Sequence, residues 1–321
     1  MTDSSPATRF RFGGIAGVTF EGLPIDLGLG VTISETFATL HLPFLVNFDR
    51  EEPRDRLARS PWMSTEDGGG RFKITAEIEI PEDFVPPQAG VTDVAVLWWL
   101  VALMRLRAST VTFMPLMSDE SFSAPKSLPQ RAKFCPLEIQ FRRRVPESAP
   151  LLLVRAEDLE WVGKHWVSGT HLMADNPAFS LLILALDAAA LASLEDKGIE
   201  LLSLWGALES LFAPSRAELR FRVSALIATY LEPAGPRRRE LQRHVARLYD
   251  ARSKLAHTSE LDDYRPVADT YALCKRVAVR ILEENEVPTV PLSPSKTGSL
   301  ARDSPRDSVS LSNRGLDVTL R

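Results

Sequence analysis

The chain has 321 residues, 45% of them hydrophobic and 25% charged, which matches ordinary soluble globular proteins and leaves room for two domains with a sizeable core. A net charge of -4 excludes a polycation, so any nucleic-acid contact must use a local patch. Only Cys135 and Cys274 carry thiols, too far apart in sequence for a zinc signature; they read as buried thiols in a reducing compartment.

The first residues, "MTDSSPATRFRFGG", have no apolar run behind their charges and do not read as a signal peptide. Strand signals follow. "RFRFGGIAGVTFEG" (9–22) alternates between glycines, "SETFATLHLPFLVNF" (34–48) has β-type composition, and "RFKITAEIEIPEDF" (71–84) alternates at period two until Pro81. A helix is predicted through 91–109, capped by Thr92. Its apolar run 94–104 is shorter than the roughly 20 residues that cross a bilayer, and "RLR" follows it, so it reads as a buried helix. No membrane contact is expected, and the location implied is cytoplasmic. "TVTFMPLM" (110–117) and "PLEIQFRRRVP" (136–146) are two further candidate strands.

Beyond the Pro-flanked "VPESAP" (145–150) the periodicity changes to three and four, and six successive helices are predicted over 155–173, 176–195, 197–212, 215–231, 237–257 and 262–285. Leu241, Val245 and Leu248 mark the buried stripe of the fifth, and Leu273, Val277 and Ile281 that of the sixth. Ser215 and Ser259 offer caps, the latter with Asp262 three positions on. The expected class is α+β with two domains: a strand-rich part of unknown role (1–150), an all-α bundle (151–287) and a disordered Ser/Pro/Arg-rich tail (288–321).

The N-terminal half carries no recognisable chemistry. His41, His165 and His171 lack partners at metal spacing, "GGG" (68–70) has no phosphate-loop context, and "FRRRVP" (141–146) reads as a solvated edge. No metal or other cofactor is expected. The fifth C-terminal helix differs: from Pro236 to His257 it holds Arg237, Arg238, Arg239, Arg243, Arg247, Arg252 and Lys254 against Glu240 and Asp250. Such a face is either a solvated surface or a phosphate-binding one. At its end, in "LYDARSKLAH" (248–257), Arg252 offers a planar fork of donors and His257 a titratable imidazole near a helix C-terminus. That pair could split RNA, the histidine moving a proton and the arginine holding charge. Five residues put the two about 140° apart around a straight helix. They meet only if the helix ends or distorts before His257, or if two copies face each other. Both are expected to be largely exposed.

"ELLSLWGALESLF" (200–212), "RVSALIATYL", "LQRHVARLYDARSKLAH" (241–257) and a final helix together resemble the HEPN superfamily, most of all its Apea-like branch. Ala207, Leu208, Glu209, Leu211 and Phe212 match the branch's upstream helix, and Arg252, Ser253, Lys254 and His257 its "RSk-x-x-H" segment. The resemblance covers about 200–285; Thr258 stands where relatives often have glycine after the histidine. It implies a metal-independent endoribonuclease working at a homodimer interface, in antiviral defence or as a toxin with an antitoxin or trigger as partner, or else a non-catalytic relative for RNA binding or dimerisation. Arg252 and His257 would be catalytic, Ser253 and Lys254 supporting, with Arg243 and Arg247 on RNA. Glu209 would either orient Arg252 through a salt bridge or pair with a surface lysine.

Overall fold

The computed structural model describes residues 9–41, 45–48, 62–64, 70–108, 112–123, 132–138, 152–191, 197–212, 219–258 and 263–288, all within one compact unit. The tail beyond Pro288, the caps Ser215, Ser259 and Asp262, and the "FRRRVP" edge lie outside them.

The layout is α+β: an N-terminal antiparallel sheet followed by helices. The strands are β1 (Phe12–Ala16), β2 (Val18–Phe20), β3 (Ile25–Gly28), β4 (Val31–His41), β5 (Leu45–Phe48), β6 (Trp62–Ser64), β7 (Gly70–Glu79), β8 (Phe113–Ser118), β9 (Phe134–Pro136) and β10 (Leu152–Val154). The main sheet runs β3-β4-β7-β1-β8-β9, with β5 paired to β4 and β6 to β7. The alternation read in 71–84 is β7, whose Ile74, Ala76 and Ile78 are buried before Pro81 halts the ladder. The β3–β4 turn takes Gly28, Leu29 and Gly30 through positive φ, which two glycines make cheap, and Asp26 accepts the Gly28 N–H at 2.7 Å. Past residue 150, where only helices were expected, β10 pairs in parallel with β2.

Helix α1 (Asp93–Arg107) starts where predicted: Thr92 Oγ1 accepts from Ala95 N at 3.2 Å, and the apolar run is buried from Val96 on, with Trp98 half-buried. The six C-terminal helices are α2 (Ala156–Asp175), α3 (Pro177–Ala190), α4 (Lys197–Phe212), α5 (Leu219–Leu231), α6 (Pro236–Thr258) and α7 (Arg265–Glu284). Asn176 caps α3 ahead of Pro177, and the α2–α3 bend there is 119°. Among the described residues no single helix is long and apolar enough to cross a membrane.

One continuous core joins sheet and helices, from Ile15, Leu27 and Ile78 through Trp99 and Trp166 to Trp205, Val245 and Ile281. A smaller cluster around Phe12, Ile74, Leu116 and Phe122 forms a second apolar layer. Trp166 Nε1 donates to Leu27 O at 2.6 Å, and Trp99 Nε1 donates to Trp166 O at 2.9 Å, so two indoles stitch α2 to β3 and α1. Of the two thiols expected to be buried, Cys274 is, and burial pushes its thiol up; Cys135, on short β9, is partly exposed.

Candidate functional site

The basic helix is α6. Pro236 opens it, where its missing N–H costs nothing, and Arg238 Nε donates to Glu232 O at 2.8 Å to close the α5–α6 turn. Leu241, Val245 and Leu248 are buried as predicted. The helix continues without a break to Thr258, which removes the option that it ends before His257. Positions 252 and 257 therefore stand about 140° apart around one axis. The His257 side chain lies outside the described residues.

Arg252 meets α4. Its Nη2 stands 3.3 Å from Glu209 Oε1 and 3.4 Å from Oε2, the salt bridge that was one of two readings for Glu209. Contrary to the open position expected of it, the Arg252 side chain is 27% exposed, and Glu209 is 21% exposed. The Arg252 guanidinium also lies 5.7 Å from the Tyr249 ring centroid, and Trp205 packs edge-on against that ring at 5.2 Å. Burial first, then the Glu209 charge, push the Tyr249 hydroxyl above its ordinary range, with Arg252 opposing them. Among the described residues Arg252 Nε and Trp205 Nε1 are buried without a hydrogen-bond partner, and buried Glu209 Oε1 has only its 3.3 Å ion pair with Arg252, so three underused polar atoms share one cluster. Such a guanidinium can donate to an anion's oxygen, provided the carboxylate yields.

The pattern in 207–212 has a packing explanation. Ala207, Leu208, Leu211 and Phe212 are all core, which leaves Glu209 as the polar exception facing α6. Ser253 is half-buried next to Arg252, and Lys254 is exposed. Sequence reasoning gave Trp205 and Tyr249 no role. The signal was available: Trp205 precedes Glu209 by four residues and Tyr249 precedes Arg252 by three, the spacings that make neighbours on a helix.

Arg243 and Arg247 do not join this cluster. They line an open groove of ≈ 540 Å³ between α5 and α6, together with Arg220, Phe221, Arg239 and Gln242. Nine residues separate Arg243 from Arg252, about 180° around the axis, so groove and Arg252 occupy opposite sides of α6. By the same geometry backbone position 257 falls about 40° from 243.

Of the other histidines, His244 Nε2 lies 3.9 Å from Asp269 Oδ2, and the His41 side chain lies outside the described residues. His165 Nδ1 contacts Trp161 O at 2.8 Å, and His171 Nδ1 contacts Gln88 Oε1 at 2.9 Å. Among the described residues no three His, Cys, Asp or Glu side chains are grouped to hold a metal. Comparison with family models, curated proteins and solved structures finds no match for this chain.

Proposed function

We propose that this chain is a metal-independent endoribonuclease of HEPN type, acting in the cytoplasm as a homodimer, in a toxin or antiviral setting. Arg252 holds the scissile phosphate and stabilises its developing charge. His257 moves a proton at the 2'-hydroxyl or the leaving oxygen. The 2'-oxygen bonds to phosphorus, the bond to the 5'-oxygen breaks, and that oxygen gains a proton, leaving 2',3'-cyclic phosphate and 5'-hydroxyl ends. Ser253 and Lys254 support the site, and the N-terminal sheet meets a trigger or inhibitor.

The observation that carries this reading is the guanidinium of Arg252, set by Glu209 and Tyr249 at the α4–α6 face with its Nε lacking an acceptor among the described residues. The unbroken α6 supports the dimer, since a cleft containing both residue types at close range needs two such helices. A second reading, a non-catalytic module for RNA binding or dimerisation, draws on the same ion pair: a guanidinium already facing a carboxylate is partly neutralised.

The test is incubation of purified protein with single-stranded RNA in excess EDTA. Cutting with cyclic-phosphate ends is expected, reduced by about 10²–10⁴-fold in His257→Ala and lost comparably in Arg252→Ala. Intact RNA in the presence of folded dimer overturns the enzyme. Salt-sensitive binding without cutting leaves the second reading.

A further inference from the structure

We infer that the groove between α5 and α6 binds a single strand of RNA, with Arg239, Arg243 and Arg247 on successive phosphates and Phe221 stacking on a base. The choice of RNA rests on the endoribonuclease reading; the case for an anionic, aromatic-bearing ligand comes from the groove itself.

Arg239, Arg243 and Arg247 stand four residues apart, so they climb α6 in steps of about 6 Å, comparable to one nucleotide of extended backbone. Like charges at that spacing each weaken a helix by about 0.2–0.5 kcal/mol, an expense that folding does not recover. Among the described residues none of the three pairs with a carboxylate. Arg243 Nε contacts only the Arg239 carbonyl at 3.3 Å, which leaves its terminal nitrogens for a ligand. No carboxylate is among the described residues that line the groove; Asp250, the partner of Arg220, is held by it through two bonds of 2.6 and 2.7 Å. Four guanidinium groups, one of them so paired, are concentrated here in a chain whose net charge is -4.

Phe221 supplies the second, independent sign. It is 64% exposed in the wall of this groove, an apolar ring held in water beside cations. Fixed aromatic faces flanked by arginines are how single strands are held without sequence readout: backbone phosphates pair with the cations while bases stack. The Ser224 hydroxyl is spent on Phe221 O at 3.0 Å. Gln242 is then the groove's main neutral side chain able to address a base edge, so sequence preference should be weak. An acidic protein segment would satisfy the arginines but would make no use of the ring.

Binding of a fluorescent 2'-O-methyl oligouridylate of about twelve nucleotides, which cannot be cleaved, separates this proposal from catalysis. Wild-type binding should weaken with salt, and Arg239→Gln with Arg243→Gln should lower affinity at least about tenfold while flattening the logarithmic salt slope by about 0.7 per arginine removed. Phe221→Ala should weaken binding about tenfold, with Phe221→Trp restoring it. Arg155→Gln, which removes an exposed cation ahead of α2 that does not line the groove, should bind as wild type does. Groove variants that bind like wild type overturn the proposal, as does an oligoglutamate that competes equally and ignores Phe221→Ala. Binding that follows the groove without any cutting of natural RNA leaves the groove standing and removes the nuclease; cutting that ignores the groove variants does the reverse.

Discussion

Glu77 sits on β7 with its carboxylate buried, accepting Ser121 Oγ and Phe122 N, each at 2.7 Å. Burial raises its carboxyl above the ordinary glutamate range, Ser121 and Phe122 pull the other way, and Glu79 adds to the rise. A raised folded-state value means that the native chain holds this proton more tightly than the unfolded one. The resulting stabilisation is complete below the ordinary glutamate value and is lost as pH climbs through the raised one. Glu77→Gln can keep both contacts, its oxygen taking Phe122 N–H and its amide donating to Ser121, without a charge to bury. Melting temperatures measured at about pH 4 and about pH 8 should therefore show the variant gaining on wild type at the higher pH; a parallel offset at both would refute this account. Single residues of this kind are the least legible in sequence. Glu77 occupies a polar slot of an alternating strand, and its donors lie more than forty residues away. The Arg252–Glu209 pair was one of two readings that the family resemblance suggested for Glu209, and it is the one observed. The opposite side of α6 that carries Arg243 and Arg247 follows from helical periodicity, which the sequence reading applied to Arg252 and His257 but not to the arginines upstream.

At the scale of elements, helices were recovered best: all seven lie where their apolar spacing put them, since a stripe repeated over more than three turns is a long signal. Strands β3, β6 and β10 escaped notice, and β9 ends where the predicted strand 136–146 was to begin, most of which lies outside the described residues. Each is four residues or fewer, and β10 finds its partner in β2, far away in sequence, so none shows a period of its own. Helix α2 holds a further feature that the sequence conceals. A Cβ on Gly169 would stand 2.8 Å from both Leu282 Cδ2 and Trp99 Cζ2, the place where α1, α2 and α7 converge. Leu282 can turn its tip away, but Trp99 is anchored by its bond to Trp166 O. Gly169→Ala gains up to about 1 kcal/mol of helix propensity and meets an overpacking penalty of about 1–3 kcal/mol. The net should be a loss of roughly 1 kcal/mol, read as a lower urea midpoint with unchanged slope. A stabilised variant would mean the three helices are free to spread.

The whole molecule depends on a charge that sequence reasoning placed at the end of an apolar run. Arg105 on α1 is 1% exposed. Its Nη1 and Nη2 meet Glu138 Oε2 and Oε1 at 2.9 Å each, its Nε meets Asp187 Oδ1 at 2.8 Å, and Nη1 reaches Thr112 O at 3.2 Å. Met114 N donates to Glu138 at 2.7 Å and Trp98 Nε1 to Asp187 at 2.9 Å, so the polar atoms are closely paired. Burial works against the charge, but the two carboxylates more than offset it and hold the guanidinium above its ordinary range. Glu138 follows β9 and Asp187 lies on α3, so this triad clamps the sheet to the helical part across their shared core. Arg105→Leu would leave two buried carboxylates without a cation, and breaking a buried pair in this way costs about 3–5 kcal/mol. Adding Glu138→Gln and Asp187→Asn removes the stranded charges and should restore a substantial part of the loss. Because sheet and helices share that core, the loss should fall on both together. Far-ultraviolet dichroism and tryptophan fluorescence should therefore report one coincident, earlier transition in Arg105→Leu. Two separated transitions, with the helical signal melting at its original midpoint, would show that the triad serves the sheet alone.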